Sequence, residues 1–489
     1  MEQNRFTRKQ KLILGVVAVA LVGVLVTLGK LVSQDVPASP LATVVVPLSR
    51  TPVAVTAQAS ATSTPVSPAV ASPTPTRAGV AAEVLAARRI ETLTAGVGQI
   101  RELPKQLEIP LNFLSAQEIG TYLRRILADA ERQAFVQRQQ ALLAALDLSP
   151  DLGQAFPPTV QTRVKQLVAF YDPGEAQIFI SPTGLDDPPD ISLVHQYAHA
   201  LIDQHFSLSA LTTQLSNADA SRARDALMEG DATAVLAMHL FGSVEQADLE
   251  ELAGHLSEVE LTDYEGYLSS RAMRDVFLFP YREGARFVAA LLQVGWWPAV
   301  NAAYLDPPVS TEQILHPEKY VDTPRDVPRT VWLPDLGEGL GEGWRLMGQD
   351  VLGELILCAH LDQYLLSTAE AQAAAAGWDG DLAAVWHDVS SEPPAGATGD
   401  QANREVLVMR SLWDSADEAE EFVRGYVTLI DRRLRGASRV LRPGMPSGGR
   451  WWRGQGGNAF LQRKGDAVLV IWAPDTGTME QILGVFEGE

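Results

Sequence analysis

"LVHQYAHALIDQHF", residues 193–206, decides how the rest of the chain is read. Its apolar residues recur with a helical period, and on a helix residues i and i+4 share one face. His195 and His199 are therefore expected to aim two imidazoles at one point, as a single metal ion requires. Directly after the first histidine stands Gln196, whose amide can neither take up a proton at neutral pH nor return one. Eight histidines in 489 residues produce such a pair by chance roughly 0.1 times, so the spacing is suggestive and calls for a third ligand.

A catalytic zinc takes three protein ligands and leaves a fourth position open. Cys358 is the single cysteine, which excludes an intramolecular disulfide and any Cys-based metal cluster. It lies in the apolar helical run "GELILCAHLDQYL", where core packing is its expected role. A metal must then rest on histidines and carboxylates. The run "DALMEGDATAVLAMHL", residues 225–240, supplies Glu229, 30 residues beyond His199. Asp225 one turn earlier and Asp231 two residues later are candidates to support the ligands from behind.

The order of apolar strand, HxxxH helix and a later Glu-Gly-Asp-Ala helix resembles the gluzincin branch of the zincin metallopeptidases. More closely, it is similar to a group of poorly characterised, membrane-anchored bacterial proteins. Their pattern is a Phe-Tyr-Asp strand, "HELTHALQDQHF", a later "EGDA", and "FPYxxG". Here the matching residues are Phe170, Tyr171 and Asp172, then "HQYAHALIDQHF", Glu229 to Ala232, and Phe279, Pro280, Tyr281 and Gly284. The likeness covers roughly residues 100–345. It implies His195, His199 and Glu229 as zinc ligands.

The departure falls on the general base, which is Glu in the family motif and Gln196 here. A positioned base contributes about 10²- to 10⁴-fold. The resemblance therefore implies a retained zinc site with impaired peptidase chemistry. Tyr281 and Glu283 in "FPYREG", and Asp203 and His205 after the histidine pair, are candidate substitutes for the base or for oxyanion donors. Glu283 leads among them. The bland alternative for Tyr281 and Glu283 is a helix N-terminus with an acidic first turn.

The fold class read from the sequence is α+β: a mainly helical, zincin-like domain followed by a smaller C-terminal α+β domain, after an N-terminal transmembrane helix. Residues 12–29, "LILGVVAVALVGVLVTLG", carry no charge and would span roughly 27 Å as a helix, close to a bilayer core. Arg5, Arg8, Lys9 and Lys11 before it place the N-terminus in the cytoplasm and the bulk of the chain outside. Residues 1–32 are thus read as cytoplasmic tip and span. Residues 33–80, rich in Pro, Ser and Thr, are read as a disordered stalk. Residues 81–345 form the zincin-like domain and 346–489 the C-terminal domain.

"SAQE", residues 115–118, is a capping box, and "LVAFYDPGEAQIFIS", residues 167–181, is a hairpin. "AQIFIS" is expected to offer an edge to an extended peptide. A second helix is read from Ser221 to Phe241, stopped by Gly242. "PPVSTEQILHPEKY", residues 307–320, reads as a capped short helix stopped by Pro317, with His316 a weak ligand candidate. In the C-terminal part, "LAAVW", "EVLVMRSLW", "NAFLQR" and "AVLVIWA" read as strands and "SADEAEEFVRGYVTLIDRRL" as a covering helix. The pair Trp451 and Trp452 in "WWRGQGG" reads as cover for that sheet, with a peptide- or glycan-contacting loop as the alternative.

With 39 basic against 60 acidic residues the net charge is −21, which argues against a nucleic-acid partner. The expected partner is a peptide or protein at the cell surface. Two alternatives stand beside the impaired peptidase: an active zinc enzyme with a base from outside the motif, and a metal-free interaction ectodomain.

Overall fold

The computed structural model describes residues 90–127, 130–148, 169–180, 190–213, 217–249, 252, 270–365, 367–390, 404–434, 436–442 and 445–487. The expected span and the stalk lie outside these. Among the described residues no helix is long and apolar enough to cross a membrane. The described residues from 93 onward belong to one compact unit.

A small sheet comes first. Strand β1 (Leu111–Phe113) runs parallel to β3 (Gln177–Ile180), which pairs antiparallel with β2 (Ala169–Asp172). The Asp172 carboxylate accepts the Gly174 N–H at 2.6 Å and closes the hairpin turn. Helix α1 (Ala116–Leu127) opens on the capping box: the Ser115 N–H donates to Glu118 Oε2 at 2.8 Å, and the Glu118 N–H to Ser115 Oγ at 3.3 Å. Tyr122 of α1 packs against Phe170 and Phe179, ring centroids 5.5 and 4.9 Å away. The edge expected on "AQIFIS" is absent. β3 is the central strand, flanked on both sides, so its backbone groups already have partners.

Helix α2 (Ala130–Ala145) precedes the sheet's hairpin, and three helices then build the interior. Helix α3 (Asp190–Phe206) carries the histidine pair. Helix α4 (Ala218–Phe241) starts three residues before the expected Ser221, because Asn217 accepts the Ala220 N–H at 2.8 Å. Gly242, at φ 83°, ends it. Helix α5 (Arg271–Leu305) breaks at Gly295 and Trp296, where the backbone leaves helical geometry. It also corrects the reading of "FPYREG" as a helix start. The helix begins at Arg271 and runs through Pro280, losing one backbone hydrogen bond. Burial of Phe277, Leu278, Phe279 and Tyr281 outweighs that loss.

The C-terminal part is one seven-stranded antiparallel sheet. It consists of β4 (Trp344–Asp350), β5 (Trp378–Asp388), β6 (Glu405–Trp413), β7 (Ser438–Val440), β8 (Gly449–Gly454), β9 (Gly457–Lys464) and β10 (Ala467–Ala473). The spatial order is β4-β5-β6-β10-β9-β8-β7. Alternating side chains serve both faces. On one, Trp386, Val408, Trp451, Phe460 and Ile471 pack with Met479, Ile482 and Leu483 of a C-terminal helix, Thr476–Glu487. On the other, Trp413 stacks on Phe422 of the helix Ala416–Arg433, centroids 4.6 Å apart. Trp451 and Trp452 are both buried in β8, as the covering role requires, and Trp452 donates to Asp431 at 3.1 Å.

The helical part and the sheet meet around Gly353, the first residue of the helix Gly353–Asp362. Asp381 of β5 accepts the N–H groups of Leu352 and Gly353 at 3.0 and 2.9 Å. Asp219 of α4 accepts the Thr311 hydroxyl at 2.6 Å, and its Oδ1 would lie 1.7 Å from a Cβ at Gly353. Gly353 sits at φ 76°, so space and backbone both demand glycine there.

Burial pushes Asp219 up to about 7 and Asp381 up to about 6, against the pull of those hydrogen bonds. Both folded values exceed the unfolded carboxylate value of about 3.9. Their stabilising contribution is therefore complete below that value and fades as pH rises through about 6 to 7. Buried His360 works oppositely. Burial lowers it to about 4, so its contribution is lost as pH falls from the unfolded value near 6.5. Two carboxylates lose stability over the span in which one histidine gains it, so these groups make stability fall from about pH 4 towards pH 7, and the unfolding midpoint is expected to be lower at pH 8 than at pH 5. Thermal unfolding across pH 5–8 checks this, and Asp219→Asn should flatten the alkaline limb. A midpoint that rises towards pH 8 would refute it.

Candidate metal centre

His195 and His199 sit one turn apart on α3, and Glu229 reaches them from the middle of α4. Their ligand atoms form a near-equilateral triangle. His195 Nε2 lies 3.0 Å from Glu229 Oε2, His199 Nε2 lies 3.0 Å from His195 Nε2, and His199 Nε2 lies 3.2 Å from Glu229 Oε2. Ligands about 2.1 Å from a tetrahedral ion stand roughly 3.4 Å apart. The three residues are buried and close enough to hold a metal ion.

Electrostatics agree with that reading. Burial lowers His195 to about 4, which keeps its imidazole neutral with a lone pair to offer. Burial alone would raise Glu229, but the neighbouring His199 and His195 outweigh it and hold the carboxyl at about 2. The His195 side chain is fully enclosed, whereas those of His199 and Glu229 retain 11% and 7% exposure. An approach from solvent therefore comes over His199 and Glu229. His195 Nδ1 is buried without a hydrogen-bond partner among the described residues.

Gln196 is turned to the strand. Its Oε1 accepts the backbone N–H of Tyr171 at 2.7 Å, tying α3 to β2. The residue in the base position thus caps the outward N–H of an edge strand. Tyr171 in turn donates its hydroxyl to Asp203 Oδ2 at 2.6 Å, and burial raises the Tyr171 phenol.

The remaining predicted residues separate clearly. Tyr281 is brought to the site, its buried ring centred 6.4 Å from that of His195. Glu283, two residues on, faces elsewhere: it accepts from Arg282 at 2.7 Å and from Arg286 at 3.0 Å. Asp203 also caps the next helix through the Leu208 N–H at 2.6 Å. His205 bonds Gln106 and the Pro104 carbonyl at 3.0 and 2.9 Å. His316 pairs with Glu354 at 3.0 Å. Each is held by partners away from the triad.

Asp231 meets Arg101, a residue that carries no motif. Arg101 Nε donates to both Asp231 oxygens at 2.8 and 3.0 Å, and the Tyr304 hydroxyl donates to Oδ2 at 3.0 Å. Arg101 also donates to Asn301 at 2.7 Å and stacks 4.3 Å above Trp297. Nothing in the mixed run "IETLTAGVGQIRE", residues 90–102, singles it out. A second carboxylate cluster, Glu312, Asp326 and Asp414, already holds the Lys319 ammonium at 2.6, 2.9 and 2.5 Å. Its centre is filled.

A family model for a domain of unknown function (DUF8575) matches residues 344–483, the seven-stranded sheet and its helices. The match leaves the triad outside it. No curated protein and no solved structure matches the chain.

Proposed function

We propose that this chain is a membrane-anchored, extracytoplasmic, gluzincin-like protein that holds zinc on His195, His199 and Glu229. It is impaired as a peptidase and works by binding a peptide or protein. The convergence of the three buried ligand atoms carries the reading. Two imidazoles and one carboxylate form a donor set suited to zinc. When bound, zinc supplies Lewis acidity at that point.

The impairment rests on Gln196. A base must hold and release a proton, and this amide instead accepts the Tyr171 N–H. The anchor is the apolar run 12–29, and the peptide-binding role follows from a site that keeps its ligands while losing its base. Glu283 is a poor substitute because Arg282 and Arg286 hold its carboxylate. Tyr281 is the candidate that stays beside the triad, its ring 6.4 Å from that of His195.

Zinc content of the purified full chain, made without a histidine tag, tests the first half. Near one zinc per chain is expected, lost in Glu229→Ala; none after incubation with excess metal would remove the zinc reading. Peptide hydrolysis tests the second. Gln196→Glu should raise it by about 10²-fold or more. Appreciable hydrolysis by the wild type that His195→Ala abolishes would overturn the impairment.

A further inference from the structure

Away from the triad, a cleft of about 410 Å³ opens between the first half of α5, the end of the short helix Thr311–Leu315 and the helix Gly353–Asp362. Phe279, Leu315 and Leu355 supply an apolar lining. Four carboxylates, Asp275, Glu283, Glu354 and Asp362, share the walls with Arg282, Arg286 and His316. The cations are engaged. Arg282 bonds Asp275 and Glu283 at 3.0 and 2.7 Å, Arg286 bonds Glu283 at 3.0 Å, and His316 Nε2 donates to Glu354 Oε1 at 3.0 Å.

What is left over is an acceptor. Glu354 is only 4% exposed, and its Oε2 is buried with no hydrogen-bond partner among the described residues. Leaving such a group unpaired costs about 1–3 kcal/mol, and more when it is charged. A donor delivered into the cleft would relieve that cost. The local field favours a cation. Beyond burial, Glu354, Asp362 and Asp275 all help push the Cys358 thiol up to about 12. Cys358 on the cleft wall is therefore a neutral thiol that adds neither charge nor a nucleophile.

We propose that this cleft binds a protonated primary amine on a short aliphatic chain. The ammonium donates to Glu354 Oε2, and the methylenes lie over Phe279, Leu315 and Leu355. Such a group comes either from a free aliphatic diamine or from a lysine side chain of a peptide. The site is independent of the zinc reading, since it shares no residue with the triad.

The test is calorimetric titration of the full chain with 1,4-diaminobutane and, separately, with N-acetyl-lysine amide. Butanoate and 1-butanol serve as charge-reversed and neutral controls. Saturable binding of at least one amine, with neither control binding, is expected, and Glu354→Gln should weaken it at least tenfold. Preference for the diamine points to a free ligand, and preference for the lysine derivative to a peptide. No saturable binding of either amine overturns the proposal, as does equal binding by Glu354→Gln or by 1-butanol. Should Glu354→Gln fail to fold, the contrast between amine and alcohol on the wild type decides alone.

Discussion

Replacing Asp231 with alanine is expected to destabilise the protein by about 3–5 kcal/mol, because it strands a buried cation. Arg101 is fully enclosed, and Asp231 supplies both oxygens that its Nε contacts, at 2.8 and 3.0 Å. Its stacking on Trp297 and its bond to Asn301 would persist without neutralising the charge. The Tyr304 hydroxyl would lose its acceptor as well. Denaturant unfolding of Asp231→Ala measures the loss, and a value under about 1 kcal/mol would mean the pair is not formed as described. Removing both charges in Arg101→Met with Asp231→Leu should recover part of it, since the penalty lies in the unpaired charge.

The second large effect belongs to two glycines. A Cβ at Gly284 would stand 2.1 Å from the Ala226 carbonyl oxygen, and one at Gly230 would stand 2.2 Å from the Gly284 carbonyl. Both obstacles are backbone, so no rotamer change relieves them. Alanine normally gains about 1 kcal/mol over glycine inside a helix. Here that gain is overwhelmed, because α4 and α5 must move apart. Gly230→Ala and Gly284→Ala are each expected to cost about 3 kcal/mol or more. Glu229 adjoins Gly230, so the proposed metal binding should weaken in parallel. Thermal unfolding with metal analysis checks both. A variant more stable than wild type would show that the helices do not touch there.

These glycines also explain part of the sequence pattern. "EGDA" and "FPYREG" read as separate marks along the chain. In the fold they are the two sides of one helix crossing, and each glycine is the contact point. Glu229 and Tyr281 flank that crossing and are thereby delivered towards His195. The spacing of the histidines was legible because the helical period alone puts i and i+4 on one face. Gln196 was legible as a missing base, since that follows from amide chemistry.

Other features were beyond the reach of local pattern. Nothing in "FPYREG" distinguishes a helix start from a helix interior; burial of the aromatic residues around Pro280 decides it. Tyr281 and Glu283 look equivalent along the chain as substitutes for the base. Two residues apart on a helix, they face nearly opposite ways, and only packing chose which meets His195. β3 reads as an edge in the sequence because its partner β1 lies more than 60 residues earlier. β4, β7 and β8 lack a clean apolar run, and their pairing comes from neighbours in the sheet.

By itself the sequence determined the mixed α+β class, the helix bearing His195 and His199, the caps at Ser115 and Gly242, and the absence of a carboxylate at position 196. Each follows from chemistry within a few residues, where helical period, turn preference and side-chain acidity act locally. Only the tertiary structure decided that Glu229 closes the triad, that Gln196 binds the Tyr171 N–H, and that Arg101 neutralises Asp231. Those pairings join residues 25 to 130 positions apart. They are set by which buried faces meet and which buried polar groups must find a partner, which no local window of sequence contains.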